Sequence, residues 1–154
     1  MILKRTLFFL ICFALLTCQL FAQERPLNIG ISSMITPVDT VKYYDDIVRY
    51  IGKKLGRETK LIHRKKYDEM NKQIENKNVD VGFICTASFI KLKADADVEV
   101  IAAPVKTDMP YYKSYIIVHK DSPIKSFEEL KGKTFAFADP LSNTGYLYPL
   151  YRIV

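Results

Sequence analysis

Ser142, Asn143, Thr144 and Gly145 stand between two apolar stretches, Thr134–Ala138 and Tyr146–Val154. Two hydroxyls, an amide and a glycine in succession suit the binding of an anion. Serine and threonine hydroxyls can donate hydrogen bonds, and glycine lets an anion approach the backbone. If the segment from Tyr146 opens a helix, its first N–H groups have no internal partners and lie at the positive end of the helix dipole. The same residue types also cap helices without binding anything. Both readings stand on the local residues alone.

The elements needed to position such a loop are legible around it. Thr134–Ala138 is short, apolar and aromatic-rich, as a buried strand should be. Asp139-Pro140 stops it, because proline removes a ladder donor. Upstream, Leu27–Ser33 reads as a strand, and Pro37 with Asp39-Thr40 prepares a helix. Tyr44, Ile47, Val48, Ile51 and Leu55 fall on one helical face, and Gly56 suits a left-handed C-terminal cap. A second strand is expected at Thr59–His63 and a second helix at Asp68–Asn76, with Tyr67, Met70 and Ile74 inward. A third strand, Val79–Ile84, leads to Cys85-Thr86-Ala87-Ser88, where another helix would begin and carry Phe89, Ile90 and Leu92. Val98–Val105 reads as a fourth strand, and Tyr111–His119 as a long strand crossing to a second lobe. Ser126 to Glu129 fits a capping box, with Leu130 inward and Gly132 ending the short helix.

Strands alternating with helices predict an α/β fold with a largely parallel sheet. Open sheets of this kind bind ligands at the carboxyl ends of their strands. Those ends are Ser32–Thr36 and Cys85–Ser88, both small and hydroxyl-rich; each alone reads as a capped helix start, and two such ends in one sheet carry the cleft reading.

The first residues form a leader. Lys4-Arg5 precedes an uncharged run, Thr6–Ala22, whose apolar heart is Leu7–Leu16. That is the export-signal pattern, and the strictly apolar run is short for a membrane span of roughly 20 residues. Cleavage after Ala22 competes with lipid attachment at Cys18, where Leu15-Leu16-Thr17-Cys18 resembles a lipobox with threonine at an unusual place. Either route puts the protein in the periplasm or on the extracytoplasmic face of the membrane. Cys12 and Cys18 lie in the leader, so Cys85 stands alone afterwards and no internal disulfide is expected.

Composition excludes little but is informative. Lys4 and Arg5 account for two of the 23 basic residues that face 17 acidic ones, and the remainder are dispersed apart from Arg64-Lys65-Lys66. Nucleic acid is therefore not an expected partner. His63 and His119 are the only histidines, on different expected strands, without metal-ligand spacing or a nucleophile partner. Cys85 at a helix start could be an activated thiol or a small buried hydrophobe. The chain is read as a non-enzyme with no cofactor.

VDVGFICTASF, YYKSYIIVHKDSPIKSFEELKGKTFAF and above all DPLSNTGYLYPLY resemble the phosphate/phosphite/phosphonate-binding family of ABC-transporter solute receptors. The resemblance spans Pro26–Val154. It implies a type II periplasmic-binding-protein fold, in which two α/β lobes joined by crossing strands trap ligand between them. On that basis 1–22 is the leader, 23–112 a nearly complete first lobe, and 113–154 the crossing strand with the start of a second, truncated lobe. The family's anion loop falls on Ser142, Asn143, Thr144 and Gly145, with Asn143 where a hydroxyl residue is common. Its first-lobe contact falls near Cys85 and Thr86, where an aromatic often seen in the family is absent. Family members run to roughly twice the mature length, a normal size for two lobes, so the chain reads as a fragment. The implied function is the extracytoplasmic solute-binding component of an ABC transporter for phosphonate- or phosphate-like oxyanions. The implied partners are a small oxyanion and a membrane permease. The alternative is the ligand-sensing extracytoplasmic domain of a membrane sensor kinase.

Overall fold

A central strand, β1 (Leu27–Ser32), pairs in parallel with a neighbour on each side. The structure, a computed structural model, describes residues 24–32, 37–105 and 112–154, the side chains of 37–40 excepted. The expected leader, Ser33–Thr36 and the crossing at Tyr111 lie outside these residues. After β1 come α1 (Pro37–Leu55), β2 (Thr59–Arg64), α2 (Tyr67–Glu75), β3 (Val81–Phe83) and α3 (Thr86–Asp95). The sheet order is β2-β1-β3, with Ile29 opposite both Leu61 and Val81. The α/β class and the parallel sheet expected from the sequence are present.

Side-chain alternation assigns the two faces. Ile29 and Ile31 are fully buried, and Phe83, paired with Ile31, meets the Tyr44 ring of α1 at 5.1 Å between centroids. Val48 of α1 is buried, and its carbonyl accepts the Thr59 hydroxyl at 3.1 Å. Gly30 points the other way, where a Cβ would come within 2.6 Å of Met70 Sδ on α2. Thus α1 covers one face and α2 the other. Helix α3 joins α2 through a buried pair: Ser88 Oγ donates to Asn71 Oδ1 at 2.6 Å, and Asn71 Nδ2 donates to the Ser88 carbonyl at 3.0 Å. Burial of Ile29, Ile31, Met70 and Leu92 contributes roughly 1.5–3 kcal/mol each.

The end of α1 follows its sequence signals. Gly56 adopts φ +62°, and Arg57 N–H returns to the Gly52 carbonyl at 3.1 Å, as a left-handed cap requires. Lys53 and Lys54 occupy the last turn. Leu55, at the end of the apolar face of α1, is 61% exposed, and Ile90 of α3 is 66% exposed.

The larger corrections lie after α3. Residues 98–105, 112–119 and 134–138 form no strands, although each was expected to. A strand needs a ladder partner, and none of these segments has one among the described residues. Val100, Ile101, Tyr115 and Ile117 are accordingly exposed. The capping box is half made: Glu129 Oε2 accepts Ser126 N–H at 3.3 Å and also takes Lys125 N–H. The turn that follows is a three-residue 3₁₀ piece, Glu128–Leu130, with Gly132 at φ +73°. The chain then runs to a π-type turn, Asn143–Leu147, and α4 (Tyr148–Ile153).

Candidate functional site

With the order β2-β1-β3, the strand order reverses beside β1 while the strands stay parallel, and a crevice is expected at the carboxyl ends of β1 and β3. Ser32 closes β1 there. It is fully buried, and its Oγ has no hydrogen-bond partner among the described residues. Cys85 follows β3 as the N-cap of α3, makes no side-chain capping bond and is buried as a free thiol. Thr86, the first residue of α3, is exposed.

The hydroxyl loop is built by its own backbone. Asp139 Oδ1 accepts Leu141 N–H at 2.8 Å, and the Asp139 carbonyl accepts Ser142 N–H at 2.7 Å. Ser142 is buried and caps the turn, its Oγ accepting Gly145 N–H at 3.1 Å. The Ser142 carbonyl takes the N–H groups of Tyr146 and Leu147, which widens the first turn into π geometry. The N–H groups of Asn143 and Thr144 make no hydrogen bond among the described residues. The capping role weighed for Ser142 is thus realised, and two backbone donors and the Thr144 hydroxyl remain available. Gly145 is needed for contact, since a Cβ there would meet Ala138 Cβ at 2.6 Å. Ala138 N–H donates to the Gly145 carbonyl at 2.9 Å, and Phe137 meets Tyr146 at 5.0 Å between ring centroids. The expected strand therefore folds back on its own turn instead of joining a sheet.

The loop is joined to the N-terminal layer. Asp139 Oδ2 accepts Tyr67 N–H, at the start of α2, at 3.1 Å. The 143–147 turn packs on α3, and the Ser114 hydroxyl donates to the Thr144 carbonyl at 2.6 Å. Tyr67 is buried, and its phenol pKa is pushed up to about 12, first by burial and then by Cys85, Asp139 and Tyr112. It is a neutral phenol at physiological pH. The sequence points to Ser142–Gly145, Cys85 and Thr86, whereas Tyr67 has the pattern of a core residue and Asp139 that of a strand stop. The signal for Asp139 was present: Lys65-Lys66 before α2 offers no local cap, so an acceptor had to come from elsewhere.

Other chemistry is sparse. Among the described residues no three His, Cys, Asp or Glu side chains cluster as a metal site, and no helix is long and apolar enough to cross a membrane. His119 Nδ1 accepts Asp121 N–H at 3.3 Å in an exposed turn. Two shallow depressions of about 240 Å³ each lie along 114–130 and beside Tyr148 and Arg152, and neither is lined by the hydroxyl loop.

Comparison with known proteins defines the class first. The structure superposes on the crystal structure of a binding protein component of an ABC phosphonate transporter from Pseudomonas aeruginosa, with a TM-score of 0.77 and 25% identity. That match covers 85% of this chain and 45% of the other, so the fold is that of type II periplasmic binding proteins. The family of phosphonate ABC-transporter periplasmic substrate-binding proteins matches residues 29–153, and the chain belongs to it. It is 30% identical over 136 residues to the phosphonates-binding periplasmic protein of Escherichia coli, covering 85% of this chain and 40% of that one. It is 24% identical over 115 residues to the phosphate-import protein PhnD of Mycolicibacterium smegmatis, covering 72% of this chain and 36% of that one. The chain thus spans about two-fifths of the length of these curated relatives. The family is periplasmic, in agreement with the extracytoplasmic location expected from the sequence.

Proposed function

We propose that the chain is a solute-binding component of an ABC transporter for phosphonate- or phosphate-like oxyanions. The observation that carries this reading is the Ser142–Gly145 loop, whose Asn143 and Thr144 N–H groups, at the start of a helical turn, have no partner among the described residues. The oxyanion would take these two donors and the Thr144 hydroxyl, with the Ser142 O–H behind them. Cys85 and Thr86 at the head of α3, and the neutral Tyr67 phenol, would line the facing side. No lysine or arginine lies in the loop, so the binding rests on aimed neutral donors. The named relatives are transport proteins, which favours a membrane permease as partner; the sensor-kinase alternative draws no support from them.

The test is titration calorimetry with methylphosphonate and inorganic phosphate. A hydrogen bond to a charged group is worth roughly 1.5–3 kcal/mol, so Thr144→Val should weaken binding by about 10- to 150-fold. Thr144→Val is the cleaner variant, because Ser142→Ala also removes the cap on Gly145 N–H. If both changes together leave the affinities within about threefold, the loop is a helix cap and nothing more.

A further inference from the structure

Asp139 adjoins the hydroxyl loop, yet its carboxylate reaches across 72 positions of sequence to the N-terminal layer. One oxygen holds Leu141 N–H at 2.8 Å and the other holds Tyr67 N–H at 3.1 Å. Tyr67 opens α2, whose N-cap Lys66 contributes no side-chain capping bond. A carboxylate here satisfies an orphan N–H and faces the positive end of the α2 dipole. Helix α2 is itself immobilised, through fully buried Met70 and the Asn71–Ser88 pair. Asp139 therefore caps α2 from a distance with the same group that starts the loop. A local cap would hold α2 equally well and leave the loop unattached.

We propose that Asp139 is a positioning residue: a clasp that fixes the Ser142–Gly145 donors relative to Tyr67 and the head of α3. This rests on the oxyanion reading of the loop. Asp139 itself contacts no ligand. It holds Leu141 and Ser142 by side chain and carbonyl, and it ties that turn to the start of α2, so the donors keep one position relative to that helix. Without the clasp the loop keeps its own capped turn but loses its registration against the facing residues.

Two measurements on the full chain test this. The first is amide hydrogen exchange at Tyr67 and Leu141, which needs no ligand. Asp139→Ala should accelerate exchange at both amides about tenfold or more. Asp139→Asn, which keeps one good acceptor, should spare one of the two. Acceleration at Leu141 alone, with Tyr67 unchanged in both variants, overturns the clasp, and Asp139→Asn keeps the test open if Asp139→Ala fails to fold. The second is calorimetry with methylphosphonate. Asp139→Ala should weaken binding about tenfold, and its effect should be non-additive with that of Thr144→Val, since a displaced hydroxyl has little left to lose. Unchanged affinity, or strict additivity of the two variants, overturns the positioning role, because a purely structural cap would not couple to Thr144. If the unaltered chain takes up no methylphosphonate, the proposed function falls and the positioning role with it, while the exchange measurement still decides the clasp.

Discussion

Tyr67 shows how one residue can serve packing and chemistry together. Its ring is buried under the N-terminal layer, and its phenol is held in the neutral form by that burial and by the nearby Cys85, Asp139 and Tyr112. The shift also gives a pH signature. A tyrosine with ordinary pKa 10.0 when unfolded and about 12 when folded loses its proton first in the unfolded chain. Its contribution to stability is complete below about pH 10 and is lost as pH rises towards 12. Urea midpoints should therefore fall over that range in the parent chain, and fall less in Tyr67→Phe. An equal fall in both would show that the phenol titrates like a free one. At neutral pH the phenol remains a donor, which is the form an oxyanion requires.

At the scale of elements, the pairing of α2 with α3 rests on two side chains. Asn71 and Ser88 are buried and exchange both of their hydrogen bonds with each other, so neither helix can shift alone. Asn71→Ala leaves the Ser88 hydroxyl and carbonyl buried without those partners, which should cost about 1–3 kcal/mol in urea unfolding. Ser88→Ala should cost less, because the Asn71 amide keeps its bond to the Ser88 carbonyl. The double variant should fall short of the summed losses, as expected for groups in direct contact. The same two helices carry Tyr67 and Cys85 at their starts. Loosening this pair should consequently weaken methylphosphonate binding as well as stability.

Across the whole molecule the apolar surface is unevenly covered. The three-stranded layer has a closed core, whereas Val100, Ile101, Val105, Tyr112, Tyr115 and Ile117 lie exposed on segments without ladder partners among the described residues. Large apolar side chains left exposed in this number favour association. The chain should bind a naphthalene-sulfonate dye and show concentration-dependent mass in sedimentation. Ile101→Lys combined with Ile117→Lys should reduce both effects while changing stability by no more than about 0.5 kcal/mol per site, as substitutions on an uncovered surface do. Persistence of the association in that variant would place its origin elsewhere.

Much of this architecture is a local property of the chain. Helical periodicity, the Gly56 cap, the apolar strand runs and the hydroxyl loop depend on residues within a few positions of one another, and the first three strands and three helices lie close to where those patterns put them. The resemblance carried by DPLSNTG placed the chain in its family for the same reason, since a short motif survives without its surroundings. What depends on distant partners could not be read in advance. Residues 98–105, 112–119 and 134–138 have the composition of strands, but composition does not provide a neighbour to pair with. Leu55 has the spacing of the apolar face of α1, yet it is exposed, because burial depends on what packs against a position and not on its spacing. The bond from Asp139 to Tyr67 joins residues 72 positions apart, and only folding could reveal that the group ending one segment caps another.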